Sequence, residues 1–404
     1  MPSSLTWLDH DAAASEKSMQ LLHFFRVSEA RDELGIGGIR DAISDQLFPG
    51  TSTIQTRLRY FFFVPWIFAE LEGRRIADSK FGEMARQAEA GLQDQLVRQE
   101  PEDEPGIIGR TRGSLLKRMP SSVYWSGLQS WDLRRFDGSL QNYMGMHERR
   151  KALAARGRGT DDRDDTDTTL STWDASLLKL CPDGFPKEAR LALTSDEAQL
   201  LMDKWHACHP RSLLTWLAHR LQREVSAPQV VHVWEHPFLA EFPEHLRVLV
   251  KHGKCLDAAT RGAAYLYNLL LAELEESRRP ELADEYRGKL ANWAQTDLPL
   301  LQWNLDSFWP MVMGKGHAIT TGTQSFLRSW LTVARAESGQ VADSAIARRL
   351  IMERERSIKK SRSRFDNAAA RKQWGGSAGT GHLDFRWRIA SGYLDEWHAA
   401  WRRQ

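Results

Sequence analysis

Thr56-Arg57-Leu58-Arg59-Tyr60-Phe61-Phe62-Phe63-Val64-Pro65-Trp66-Ile67-Phe68 ends in the most apolar run of this 404-residue chain. Wound on a 3.6-residue period, residues 60–68 place apolar groups on every face. Such a helix is expected to sit at the centre of a helical domain. It is far shorter than the ~20 residues that cross a bilayer, so no membrane partner is expected. Arg57 and Arg59 mark its polar end, and Pro65, lacking an amide hydrogen, is expected to kink or divide it.

Working outward, apolar spacing predicts helices over residues 18–30, 39–47, 80–98 and 140–156. Further helices are predicted over 195–207, 211–224, 243–277, 280–295, 324–336, 343–360 and 385–401. Only Gln229–Trp234, with Val230, Val231 and Val233, reads as a strand. Hydrophobic residues make up 42% and charged residues 27%, which excludes the disordered class. The expected fold is therefore mainly α and multi-helical, with two domains. Residues 157–169 hold five aspartates among Gly and Thr with almost no apolar group. An acidic linker over 157–170 is expected to separate an N-terminal helical domain (1–156) from a C-terminal one (171–404). Sixteen tryptophans must fill helix packings or line a binding surface.

Three widely spaced cysteines, Cys181, Cys208 and Cys255, make no disulfide framework and point to a reducing, cytoplasmic setting. Met1–Ser18 carries Asp9, Asp11 and Glu16 and no basic start followed by an apolar run, so no secretory signal is expected.

Catalytic patterns are weak. His232-Val233-Trp234-Glu235-His236 matches a zinc-peptidase pattern, in which two histidines bind zinc and the glutamate activates water. That chemistry needs a helix, whereas the preceding residues are β-branched and Pro237 follows. His206, Cys208 and His209, with His252 and Cys255, lack the paired spacing of a structural zinc site. Gly35-Ile36-Gly37-Gly38 has no preceding strand and no Gly-Lys-Ser/Thr, so a turn between helices is expected rather than a phosphate loop. No nucleophile set assembles. No catalytic residue, metal or other cofactor is assigned, and a non-enzyme is favoured.

Charge is more informative. Net charge is only +2, yet Arg348–Lys372 holds ten basic against three acidic residues, a local +7. Arg348, Arg349, Arg354, Arg356, Lys359, Lys360, Arg362, Arg364, Arg371 and Lys372 could neutralise phosphates. Asn367 could position and Trp374 could stack. The alternative is a solvated helix face. A second hint is a helix-turn-helix or winged-helix-like unit near 113–136, where Lys117, Arg118, Ser121, Ser122 and Tyr124 are candidate contacts and Leu133–Phe136 a candidate wing.

Several stretches also resemble a known family. They are Ser4–Asp9, Arg31-Asp-Glu-Leu-Gly-Ile-Gly-Gly-Ile-Arg40, Gln46–Tyr60, Val64-Pro-Trp-Ile67, Pro120–Trp131 and Leu383-Asp-Phe-Arg-Trp387. Together they are similar to a bacterial protein family of unknown function, often found beside helicase-associated phage-defence genes. The resemblance runs along the whole chain and brings no catalytic residues with it. It implies a role in anti-phage defence, with other defence proteins as partners.

The resulting expectation is a non-enzymatic nucleic-acid-binding or assembly subunit of a bacterial anti-phage defence system, with DNA favoured over RNA. The alternatives are a scaffold that docks a partner ATPase or nuclease, and an unrecognised metal-dependent hydrolase or nuclease using Glu235.

Overall fold

The computed structural model describes residues 32–110, 116, 118–149, 172–275, 279–299 and 301–403. The helix expected over 18–30 and the acidic linker over 157–170 lie outside them. Among the described residues all regular structure is helical, and pairing is limited to one isolated antiparallel bridge, Arg134 to Trp173. Two compact units are present, one of residues 1–43 and 248–383, the other of 44–247 and 384–404. Residues on either side of the expected linker thus belong to one unit.

In the 44–247/384–404 unit, the helix Tyr60–Gly73 is buried from Tyr60 through Phe68. It packs against the helices Asp78–Gln99, Pro120–Ser130 and Ala175–Lys179. Pro65 lies inside it, and the helix continues past it to Gly73 rather than dividing. Aromatic rings cover it on several sides. Phe61 stacks on Trp131 with ring centres 4.0 Å apart, and Phe68 meets the edge of Trp173. The buried indoles keep their N–H groups paired: Trp66 donates to the Leu177 carbonyl, Trp131 to Pro49 and Trp397 to Ala198. Gly50 has a positive φ of 79°, and a Cβ there would fall on the Trp131 ring.

Charges fasten the polar end of this helix. Arg59 donates to the Glu197 carboxylate at 2.9 and 3.1 Å and to the Arg190 carbonyl, with both side chains almost wholly buried. Glu197 also closes a capping box with Thr194 at the start of the helix Ser195–Cys208. Arg57 pairs with Glu104 and, at 2.7 Å, with Glu396.

In the 1–43/248–383 unit, the greater part of the helix Glu244–Leu274 is accompanied by Pro280–Thr296, Leu305–Val312, Thr321–Ala336, Ala345–Lys359 and Ala368–Lys372. Trp293 and Trp330 stack at 5.9 Å and donate to the carbonyls of Ala258 and Ala259. The Trp293 ring lies so close over Gly262 that a Cβ there would overlap it. The glycine run at 35–38 leads into a helix that already begins at Gly37, and the helix expected before it lies outside the described residues. The Asp32 carboxylate accepts from the amides of Ile36 at 3.0 Å and Gly37 at 2.7 Å, where the helix Gly37–Leu47 begins.

The expected strand at 229–234 is absent. Val231 is exposed, Val233 is buried in a 3-10 turn, and no neighbouring strand is present among the described residues to pair with.

Glu89 is buried and accepts from the amide of Ser121 at 2.6 Å and from its hydroxyl at 2.9 Å. Burial pushes its carboxyl up to about 7, against the pull of those two donors. The folded value exceeds the unfolded one. Its contribution to stability is therefore complete below about pH 4.5 and is lost as pH rises through about 7. Glu89→Gln should remove this dependence, and denaturant melts of both proteins from pH 4 to pH 8 should converge at the acidic end. Removing the Glu197 carboxylate leaves Arg59 buried without its partner, so Glu197→Ala should cost about 3–5 kcal/mol in the same melts.

Candidate nucleic-acid interface

The basic segment forms three successive pieces. The helix Ala345–Lys359 starts with the Ser344 hydroxyl accepting from the Ala347 amide. A 3-10 turn follows over Lys360–Arg362, entered by Lys360 at a positive φ of 50°. The short helix Ala368–Lys372 is capped by the Asn367 side chain, which accepts from the amides of Ala369 and Ala370.

The cations divide into two sets. Lys359 and Arg364 turn inward onto Glu33, at 3.3 and 2.8 Å, with Lys359 exposing 6% and Glu33 8% of the side chain. Arg364 also donates to the Tyr267 hydroxyl at 3.0 Å. Burial alone would lower the Arg364 guanidinium, but Tyr267 and Glu33 beside it raise it above its ordinary value. Burial also drives the Tyr267 phenol upward. Glu355 lies beneath, accepting from the Ser363 hydroxyl at 2.6 Å and the Arg364 amide at 2.8 Å. Arg348 pairs with Glu273, and Arg371 pairs with Glu275 at 2.9 Å while donating to the carbonyls of Arg364 and Phe365. Arg354 donates to the carbonyls of Leu34 and Gly35 and to the Thr323 hydroxyl, and burial lowers its guanidinium.

The second set faces solvent. Lys360, Arg362 and Lys372 are exposed. Arg349 is exposed and stands 4.0 Å from Glu353. Arg356 is exposed too, but Asp366 holds it through Nη2 at 2.7 Å and Nε at 3.0 Å. Beside Lys359 and Arg364 lies a pocket of about 320 Å³. Glu33, Glu355, Lys359 and Arg364 form its charged side, and Arg362, Asn367 and Gln373 complete its polar lining.

Three expected contacts change role. Trp374 is buried and donates to the Asn268 side chain at 2.9 Å, so it is a core ring and not a stacking platform. Asn268 in turn holds the following turn through Ala378. Ser121 is buried against Glu89. Tyr124 is fully buried, its hydroxyl accepting from the amides of Thr56 and Arg57 and donating to the Arg57 carbonyl. The helix Pro120–Ser130 therefore turns Ser121 and Tyr124 into the core, while its exposed side keeps the candidate Ser122 with Ser126 and Gln129 and carries no cation. The 133–136 segment makes one bridge rather than a wing. Arg118 is exposed, and Lys117 lies outside the described residues.

The histidine motifs do not converge as the sequence patterns would require. Val233–Glu235 is a 3-10 turn, Glu235 accepts from the His232 amide, and His236 is buried among Phe238, Phe242 and Trp387. Burial lowers the His236 imidazole to about 4. His252 accepts from the Trp303 indole at 2.8 Å. His209 Nε2 is engaged with the hydroxyl and carbonyl of Ser130. No cluster of three or more His, Cys, Asp or Glu side chains suited to a metal is present among the described residues. Nor is any helix among them long and apolar enough to cross a membrane.

Glu33 is the acid that orders this site, although it lies more than 320 residues before its partners in sequence. Glu33→Gln leaves the buried Lys359 and the half-buried Arg364 without their carboxylate and should cost about 3–5 kcal/mol of unfolding free energy in a denaturant titration.

A family profile described as a family of unknown function (DUF6361) matches residues 2–401, and the chain belongs to that family. No curated protein and no solved structure matches it.

Proposed function

Starting from membership of that family, we propose that this chain is a non-enzymatic nucleic-acid-binding or assembly subunit of a bacterial anti-phage defence system. The observation that carries the binding role is the division of the basic segment. Arg348, Lys359, Arg364 and Arg371 are consumed by internal carboxylates and hold the segment in place. Arg349, which stands 4.0 Å from Glu353, and Lys360, Arg362 and Lys372 are exposed on that frame. Cations presented on a rigid frame lose less side-chain freedom when they meet phosphates than cations on a loose tail. Phosphate contacts of this kind give binding without base readout, which fits a helix Pro120–Ser130 that offers no cation to a groove. DNA is the favoured ligand over RNA. The defence setting rests on the sequence resemblance.

The test is duplex and single-stranded DNA binding across a salt series. The intact protein should bind with a steep salt slope. The variant Arg349→Gln/Lys360→Gln/Arg362→Gln/Lys372→Gln should flatten the slope by about 0.9 per lost duplex contact and weaken binding at least about tenfold at low salt. Unchanged affinity in the variant would remove this surface from the assignment. An intact protein that fails to bind at low salt would favour the scaffold reading, tested by co-purification with an ATPase or nuclease.

A further inference from the structure

One histidine pair was not visible as a pair in the sequence. His206 lies in the last turn of the helix Ser195–Cys208, and His219 in the last turn of Leu213–Leu221. The turn between the two helices folds them against each other. Ser212 caps the second helix, its hydroxyl accepting from the Thr215 amide. The Thr215 hydroxyl bonds back to the carbonyls of Trp205 and His209. The backbone that carries both imidazoles is therefore well fixed. His219 Nε2 stands 3.2 Å from His206 Nδ1, the rings are nearly perpendicular, and both residues are exposed.

We propose that His206 and His219 form a two-histidine site for a divalent transition-metal ion, Zn²⁺ first, bound through His206 Nδ1 and His219 Nε2. Two nitrogens 3.2 Å apart, each ~2.0–2.1 Å from a common ion, subtend about 100° at it, close to the tetrahedral angle. Imidazole is a suitable donor for Zn²⁺, Ni²⁺ and Cu²⁺. In the metal-free pair one nitrogen donates its hydrogen to the other. When the ion binds, the donating ring moves that proton to its other nitrogen, so two neutral imidazoles each offer a lone pair and no net proton is released. With two protein ligands, the remaining coordination positions stay open to water.

The pair differs from the sequence candidates His206, Cys208 and His209. His206 is retained, and its partner comes from the next helix. The site lies apart in sequence from the basic segment and does not depend on the nucleic-acid reading.

The test is titration of the untagged full-length protein with Zn²⁺, followed by heat and by histidine ring ¹⁵N shifts. One equivalent should bind at micromolar concentration, with the largest shifts at His206 Nδ1 and His219 Nε2. His206→Ala and His219→Ala should each weaken binding at least about tenfold, since either leaves a single imidazole. His209→Ala should leave the affinity unchanged. No binding at one equivalent would overturn the proposal. So would affinity retained in both His206→Ala and His219→Ala, or shifts confined to other histidines.

Discussion

A helix with no polar face cannot rest on water at any point of its circumference. Residues 60–68 of the Tyr60–Gly73 helix impose this condition on their unit, and the surrounding pieces follow from it. Phe61 needs Trp131 and Tyr124, Phe68 needs Trp173 and Tyr143, and Trp66 needs a carbonyl for its indole. Polar groups enter only at its last turn, where Glu70 is exposed and Glu72 accepts from the Tyr143 hydroxyl. Direction comes from Arg57 and Arg59, whose guanidiniums reach Glu396, Glu104 and Glu197. Area burial supplies the gross driving force, and the buried pairs fix the arrangement that it stabilises.

The 1–43/248–383 unit uses charge differently. Its most basic stretch is held by acids that are distant in sequence, namely Glu33, Glu273 and Glu275. An inward lysine or arginine in such a network positions its outward neighbours. The boundary between inward and outward cations thus runs between residues adjacent in the chain, such as Lys359 and Lys360.

Much of this was legible in the sequence, and the gaps have identifiable causes. The amphipathic stretches at 80–98, 195–207, 280–295 and 385–401 match helices to within about two residues, because apolar spacing and end residues agree there. The helices Leu305–Val312 and Ala175–Lys179 escaped notice. They are too short to show a period, and the Asn304 and Asp174 caps that start them are single residues. Three valines suggested a strand, but strand propensity has no effect without a neighbour to pair with. Of the candidate site, the basic segment could be read as a segment. Which of its cations face inward could not, because that choice is made by carboxylates far away in the chain. The tryptophan at 374 carried no local mark of burial, and only tertiary packing decides it.

The tryptophans lying over Gly50 and Gly262 have a consequence for how such a chain can vary. In each case ring and glycine occupy a shared volume, one contributing the plane and the other the missing methyl group. Neither partner can change alone without overlap or a void. A larger residue at 262 becomes admissible only after the ring at 293 has shrunk, and the shrunken ring is itself a loss until the glycine has grown. Each intermediate is worse than either end. Sequence drift should therefore cross such positions by coupled exchange or not at all, so that glycine and tryptophan are inherited together.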